Sequence, residues 1–268
     1  PTQIASLSTT AISGFTATQL NELSETKLKE LTPTQIGALT PTQLGVLSTT
    51  QVSALTATQV KGLTKTEIAA LATTQIAALS ATQLAALSAA QIGSMTSTGV
   101  AALTPAQLGE LSTVQIAAIS TWGVKGLTET GLDALTTRQL SALTPTQIGE
   151  LTAVQLGTLD ATQLGALTTR QVGGLTADQV GMLTTEQLAS LTTTQIASLS
   201  ETGVKGLTAT QMAALSSSQF AALTATEMES LTISQIAQLP TTQIAAMTGT
   251  QLRGLTSTGI GALTTTQL

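Results

Sequence analysis

The sequence contains no cysteine, no histidine and no tyrosine, and its only asparagine is Asn21. Without cysteine and histidine, the chain lacks the common zinc ligands and the nucleophile–base pairs of most hydrolases. It also lacks a glycine-rich phosphate-binding loop ahead of a helix pattern. These absences predict a protein that is not an enzyme and that holds neither a cofactor nor a metal ion.

Charge is scarce as well. Only 9% of the residues are charged, against about 25% in ordinary proteins, and the formal net charge is −5. The chain therefore offers no basic surface for nucleic acid or for an anionic membrane. Aromatic residues make up 1% of the chain and hydrophobic residues 42%, so leucine, isoleucine, valine and alanine supply the apolar mass. No apolar run approaches the roughly 18 residues of a membrane span.

The chain consists of one eight-residue phrase repeated without a break. The phrase is Leu, Ser/Thr, any residue, usually Thr, usually Gln, Ile/Val/Leu and two mostly small residues, and 32 complete copies run from Leu7 to Ala262. A fixed short period predicts stacked units rather than a globular domain with a pocket. We expect residues 1–268 to form a single continuous array. Because neither end carries an atypical polar cap, we expect this array to be an excerpt of a longer one.

Each copy contains the signals of a helix start. Thr32 is a good N-cap, Pro33 suits the first helical position, and Gln35 can return to the backbone N–H of Thr32, which makes a capping box. Ser or Thr occupies 30 of 33 cap positions, and Gln occupies 25 of 34 box positions. The prolines at the first helical position are Pro1, Pro33, Pro41, Pro105 and Pro145. The structural caps that we predict there are Thr32, Thr40, Thr104 and Thr144, with Gln35, Gln43, Gln107 and Gln147.

The period excludes two simpler folds. In one long helix, eight residues advance 80° beyond two turns, so the apolar stripe would wind around the axis. In a strand, alternation leaves neither face apolar. The sequence therefore predicts an all-α solenoid of short capped helices, one per repeat, in which Ile36 and Leu39 share a face. A β-solenoid is the alternative, because Thr, Ile and Val favour strands.

The distribution of glycine and basic residues favours two helices per layer. Numbered from zero at Leu7, only even copies have glycine at the eighth position, and eight of nine basic residues also fall in even copies. A sixteen-residue layer would then have a faintly basic and a faintly acidic side, suited to lateral pairing. Three helices per turn is the alternative. The eighth-position glycines are Gly14, Gly62, Gly126, Gly174, Gly206 and Gly254.

Three groups of residues are candidates for surface contacts. Thr-x-Thr phrases such as Thr32–Thr34 predict ranks of hydroxyls that suit ice or polysaccharide, although a cap and a solvent-exposed first-turn residue account for the two threonines without any ligand. Trp122 is a possible anchor for a sugar or partner, or it lies over a gap left by Gly123. The sparse carboxylates lack a calcium-loop pattern and are expected on the solvated surface; they are Glu129, Asp133, Glu227 and Glu229.

In five copies glycine replaces the residue that completes the capping box. These copies either bend the solenoid locally or reflect neutral variation in a redundant array. The glycines are Gly99, Gly123, Gly131, Gly203 and Gly259.

The phrases Leu47–Val52 and Leu191–Ile196 resemble the threonine/glutamine octapeptide arrays of very large bacterial secreted and surface proteins. The resemblance covers all 268 residues. It implies an extracellular or cell-surface filament, scaffold or adhesin stalk, and self-association into fibres. Our first hypothesis is therefore a non-catalytic structural fibre. The alternatives are a binding module whose threonine ranks contact ice or polysaccharide, and a protein-interaction scaffold inside a cell.

Overall fold

Every complete copy of the phrase forms one short helix of four to six residues. The structure is a computed structural model that describes residues 2–267, and these residues contain no β-strand. The predicted all-α solenoid is confirmed, and the β-solenoid alternative is wrong. Pro1, predicted at a first helical position, lies outside the described residues. Contacts group the chain into two compact units, an N-terminal unit (Pro1–Leu135) and a C-terminal unit (Thr136–Leu268), each of which is described by itself.

The helices follow one another at the eight-residue interval in both units. In the N-terminal unit they are Thr2–Ala5, Thr9–Ser13, Ala17–Asn21, Glu25–Lys29, Pro33–Ile36, Pro41–Gly45, Thr49–Ala54, Ala57–Lys61, Lys65–Ala70, Thr73–Ala77, Ala81–Ala86, Ala89–Ile92, Ser97–Ala101, Pro105–Gly109, Thr113–Ala118, the 3-10 helix Gly123–Gly126, and Glu129–Asp133. In the C-terminal unit they are Thr137–Leu140, Pro145–Glu150, Ala153–Gly157, Ala161–Gly165, Thr169–Gly173, Ala177–Met182, Thr185–Ser190, Thr193–Ile196, Glu201–Gly206, Ala209–Ala214, Ser217–Ala221, Ala225–Ser230, Ile233–Ala237, Thr241–Ala245, Gly249–Gly254 and Ser257–Gly261.

Two extended residues make the corner between successive helices. After the helix Thr49–Ala54, Leu55 has φ −58° and ψ 138°, and the cap residue Thr56 has φ −71° and ψ 155°. No residue in the described range has a positive φ. The corners therefore do not use the left-handed glycine that ends many helices, and any L-residue can occupy them.

The core is built from the first and sixth positions of the phrase. Ile36 is 0% exposed and Leu39 is 3% exposed, which confirms the shared face that their spacing predicts. Leucine and branched residues at the equivalent positions are buried in copy after copy. Phe220 lies in this core, whereas Phe15 is only half-buried.

Each turn of the solenoid takes between three and four copies. Helices that pack together are three copies apart, as Pro33–Ile36 and Ala57–Lys61 are. Hydrogen bonds between turns join residues 28, 30 and 31 apart. The prediction of two helices per layer is therefore wrong. Copies three apart have opposite parity and share a side, so even and odd copies do not form a basic and an acidic side.

Glycine at the eighth position lets some of these helices approach very closely. A Cβ on Gly62 would overlap the backbone of Pro33, and a Cβ on Gly206 would overlap the backbone of Ala177. The two residues of each pair belong to copies three apart, so the glycines serve packing between turns. The same overlap, with a residue 29 positions earlier, occurs at Gly126, Gly174 and Gly254.

Candidate functional site

The side chain at the fifth position of the phrase helps to cap the N-terminus of the helix. In the copy that starts at Leu31, Gln35 N–H donates to Thr32 Oγ1 at 3.2 Å, and Thr32 N–H donates to Gln35 Oε1 at 2.7 Å. This reciprocal pair is a capping box. The same pair of bonds is made by Thr40 and Gln43, by Thr104 and Gln107, and by Thr144 and Gln147.

The amide nitrogen of the same glutamine bonds the preceding turn. Gln35 Nε2 donates to the carbonyl oxygens of Ile4, Ala5 and Leu7 at 3.0, 3.2 and 2.8 Å. These carbonyls belong to the C-terminal end of the helix Thr2–Ala5 and to the corner after it, where a helix leaves its acceptors without intrahelical partners. One side chain therefore caps the start of its own helix and the end of a helix one turn earlier.

We call this arrangement the glutamine ladder: the fifth-position glutamines and the carbonyls 28 to 31 residues earlier that accept from them. In the N-terminal unit the donors are Gln35, Gln43, Gln51, Gln59, Gln75, Gln83, Gln91, Gln107 and Gln115. In the C-terminal unit the donors are Gln171, Gln179, Gln187, Gln195, Gln211, Gln219, Gln235, Gln243, Gln251 and Gln267. Each hydrogen bond contributes about 0.5–1.5 kcal/mol net, so the ladder adds stability with every copy that has glutamine at the fifth position.

Sequence reasoning predicted the capping box and missed the ladder. A local capping box accepts glutamate as readily as glutamine. Glutamine nevertheless fills 25 of the 34 fifth positions and glutamate only two. Glutamine differs from glutamate in having N–H donors. The bias toward glutamine was therefore the signal that this side chain donates as well as accepts.

Five copies replace the ladder with an apolar contact. A Cβ on Gly99 would lie 2.9 Å from Ile76 Cδ1, and a Cβ on Gly131 would lie 2.7 Å from Leu108 Cδ1. The sixth-position side chain three copies earlier thus fills the space beside the glycine. The cap survives, since Gly99 N–H donates to Thr96 Oγ1 at 3.1 Å. The other glycines of this kind, each beside the residue 23 positions earlier, are Gly123, Gly203 and Gly259.

The cap position departs from Ser/Thr in three copies. Asp160 is an effective substitute, because its Oδ1 accepts from Gln163 N–H at 2.7 Å. Ala72 has no hydroxyl, although its N–H still donates to Gln75 Oε1. Pro240 has neither a hydroxyl nor an N–H, so the helix that follows it, Thr241–Ala245, lacks both hydrogen bonds of the capping box.

The loss at Pro240 leaves a buried acceptor without a donor. Gln243 Oε1 is buried and has no hydrogen-bond partner. Its Nε2 still donates to the Met212 carbonyl at 2.6 Å, so this copy keeps a hydrogen bond to the preceding turn. Because an unsatisfied buried polar atom costs about 1–3 kcal/mol, this copy is a weak point of the C-terminal unit.

Two glutamates occupy ladder positions and are buried. Glu67 is 2% exposed and Glu227 is 3% exposed. The expectation that Glu227 lies on the solvated surface is therefore wrong, because a fifth-position side chain that has a preceding turn lies against it. One carboxylate oxygen of each accepts the cap N–H, from Thr64 and Thr224 respectively. Glu227 Oε1 is buried without a partner, and burial raises the pKa of this carboxyl group.

The Thr-x-Thr phrase contributes two different kinds of hydroxyl. The cap hydroxyl of Thr32 is committed to the N–H of Gln35, whereas Thr34 is an exposed first-turn residue. In some copies the two hydroxyls also approach each other, as between Thr96 and Thr98 at 3.0 Å. The fourth-position hydroxyl of Thr34 is therefore the one that the helix start does not use, and contact with ice or polysaccharide stays a prediction.

Trp122 is 67% exposed. The Nζ atom of Lys125 lies 5.1 Å from the ring centroid, a cation–π distance. The space beside Gly123 is occupied by Ile119, Ser120 and Val100, so the tryptophan does not cover a gap there. Its role as an anchor for a partner stays a prediction.

Within residues 2–267, no three acidic side chains come together in a group that could hold a metal ion. No helix in that range is long and apolar enough to cross a membrane. The chain is thus a helical solenoid whose distinguishing site is the glutamine ladder, repeated along each unit.

One family model matches part of the chain. Residues 28–65 match the family model described as the ALTTAQ repeat. The match spans 38 residues, which include the complete copies from Leu31 to Gly62, and it supports a tandem-repeat region. No curated protein matches the chain.

Proposed function

We propose that this tandem-repeat solenoid is a structural region of an extracellular fibre or cell-surface stalk, in which the number of copies sets the length. The observation that supports the proposal is the glutamine ladder. Apart from Gln243, the ladder residues are bonded both to their own helix and to the turn before it, as Gln83 is to Ser80 and Leu55. A copy therefore gains stability from its neighbours, and extension by further copies should strengthen the array.

The surface chemistry agrees with a spacer. Charged residues are few and the exposed positions are mostly threonine, serine and alanine. Such a surface offers no strong field to attract a charged partner. The absence of cysteine suits a chain outside the cell, where free thiols are oxidised. The extracellular placement rests on this fit and on the resemblance to arrays in bacterial secreted and surface proteins.

The dependence of stability on copy number tests the structural role. In a one-dimensional array, stability is a sum of copy terms and neighbour terms. Chains with increasing numbers of copies should show a rising denaturation midpoint, and their contour length in electron micrographs should rise in proportion. A midpoint independent of copy number, or particles that stay compact as copies are added, would contradict the proposal.

The position in the cell and the assembly state need separate measurements. Protease added to intact source cells should degrade an extracellular array and spare an internal one. A protected chain would favour the scaffold hypothesis over the stalk. Sedimentation of the purified chain over a range of concentrations should show self-association if the chain forms fibres, and a monomer at all concentrations would support a single-chain stalk.

A further inference from the structure

Glu227 stands at a ladder position where glutamine would donate to the preceding turn. The glutamine one copy earlier, Gln219, donates through Nε2 to the Leu191 carbonyl at 2.8 Å, 28 residues away. The same register directs Glu227 to the carbonyl of Leu199, and the 31-residue register directs it to that of Ile196. A carboxylate has no hydrogen with which to meet either of them.

The two oxygens of Glu227 are in different situations. Oε2 accepts the cap N–H of Thr224, which is the bond that Oε1 makes in the glutamine copies. Oε1 of Glu227 therefore takes the place of the donating amide nitrogen, and it is buried without a partner. An ionised carboxylate there would set a negative oxygen against carbonyl oxygens in a dry site, which is strongly unfavourable. A protonated carboxyl has an O–H that supplies the missing donor.

No charged group resolves this conflict. The charged residues on the same helix and on the helices packed against it are Glu229, Glu201 and Lys205 of Glu201–Gly206, and Arg253 of Gly249–Gly254. None of these pairs with Glu227 among the ion pairs of the described residues. The helices Thr193–Ile196, Ser217–Ala221 and Ile233–Ala237 carry no charged residue.

The direction of the titration agrees with this geometry. Burial is the largest influence on the pKa of Glu227 and raises it above the ordinary value of 4.5, while the hydrogen bonds with Thr224 act in the opposite direction. No charged neighbour contributes to this shift.

We propose that Glu227 is protonated in the folded chain and donates its carboxyl hydrogen to the backbone carbonyl of Ile196 or Leu199. This copy then completes the ladder in acid and loses one inter-turn bond when the proton passes to solvent. The array therefore contains an acid-dependent contact at a defined turn, between the helix Ala225–Ser230 and the end of the helix Thr193–Ile196. The proposal does not depend on where the protein works.

The sign of the effect follows from proton linkage. A carboxyl group whose pKa is raised by folding binds its proton more tightly in the folded state. The stability that it provides is present below the unfolded-state pKa and is lost as pH rises through the folded-state pKa. Between the two values, the unfolding equilibrium constant changes at most about tenfold per pH unit.

The matched variants are Glu227→Gln and Glu229→Gln. Glutamine at 227 supplies a donor at every pH, and Glu229 is an exposed carboxylate on the same helix. In denaturant titrations of the full chain from about pH 4 to about pH 8, E227Q should match the wild type in acid and exceed it increasingly toward neutral pH. E229Q should follow the wild type throughout. A constant difference between E227Q and the wild type at all pH values would overturn the proposal.

If the whole array unfolds in several steps, a local measurement can still detect the loss of the bond made by Glu227. Hydrogen exchange of peptides covering residues 193–199 and 224–230 should lose protection with rising pH in the wild type, beyond the intrinsic pH effect, and not in E227Q. Equal protection in the two proteins would overturn the proposal. A calcium effect would also overturn the proposal. If added calcium slowed hydrogen exchange at neutral pH in the wild type and not in E227Q, the buried oxygen would bind a metal ion rather than a proton.

Discussion

The side-chain amide of Gln35 donates to the backbone carbonyl of Leu7, 28 residues earlier, at 2.8 Å. The same side chain accepts the N–H of Thr32, three residues earlier. A glutamine at this position therefore couples a local event, the start of a helix, to a distant one, the closure of a turn. The two halves of this coupling use different atoms, so substitutions can separate them.

The first prediction separates the donor from the acceptor. Gln83 donates to the carbonyls of Val52 and Leu55 at 2.9 and 2.7 Å. Gln83→Glu keeps the capping acceptor and removes the donor, so we expect a loss of about 1–3 kcal/mol at neutral pH. Urea denaturation followed by circular dichroism measures it. The matched control is Gln19→Glu, because Gln19 is exposed and bonds its own cap residue, Thr16.

The control should change stability by less than about 0.5 kcal/mol, as surface substitutions do. Equal losses at Gln83 and Gln19 would mean that the bond between turns contributes nothing. The loss at Gln83 should also shrink in acid, because a protonated glutamate recovers a donor.

The second prediction concerns the weak copy at Pro240. Pro240→Thr supplies an N–H for Gln243 Oε1, which is buried without a partner, and a hydroxyl for the helix start. We expect a gain of about 1–2 kcal/mol, less a few tenths for the greater freedom of the unfolded chain. Thermal unfolding gives the comparison. Pro41→Thr, at a first helical position where proline is well suited, should give no gain, and a similar gain in both would point to a general effect of removing proline.

The third prediction tests the close contact at an eighth-position glycine. Gly206→Ala should destabilise by about 1–3 kcal/mol, because the new methyl group meets the Ala177 backbone and overpacks the contact. Gly157→Ala lies in a helix with no atom within 4 Å of the added carbon, and it should stabilise by about 0.5–1 kcal/mol. Denaturation midpoints of the two variants should therefore move in opposite directions. Shifts of the same sign would show that helix propensity, not packing between turns, governs both sites.

The helix starts could be predicted from the sequence because their determinants lie within three residues. Thr32, Pro33 and Gln35 satisfy backbone groups of the same turn, so their spacing alone defines the cap. The core could be predicted for a similar reason, since Ile36 at the end of a short helix and Leu39 just after it are three residues apart and both are buried.

The closure of the turn could not be predicted in the same way. It depends on how the extended pair Leu55 and Thr56 directs one helix relative to the next, and the residue identities there do not determine that angle. The occurrence of Gly62 and Gly126 in even-numbered copies predicts a sixteen-residue layer, but each of these glycines packs on a helix three copies away. Glu227 was assigned to the surface by its charge, although its position in the phrase determined its burial.

The last prediction concerns a copy in which the most frequent residue does not fit. Restoring the common fifth-position residue usually stabilises a repeat protein, so Gly99→Gln would ordinarily be expected to add a ladder bond. Here Ile76 Cδ1 occupies the space, 2.9 Å from where a Cβ would lie. We therefore expect Gly99→Gln to destabilise by about 1–3 kcal/mol, while Ile76→Ala alone loses about 2–5 kcal/mol.

The double variant should lose less than the sum of the two single losses, because the shorter side chain at 76 makes room for the new glutamine. Coupling between the two sites of about 0.5–3 kcal/mol is the range for residues in contact. A double-mutant cycle from denaturant titrations measures it. Additive losses would show that Ile76 does not hold the place of the missing side chain at Gly99, and that these glycine copies are simple gaps in the ladder.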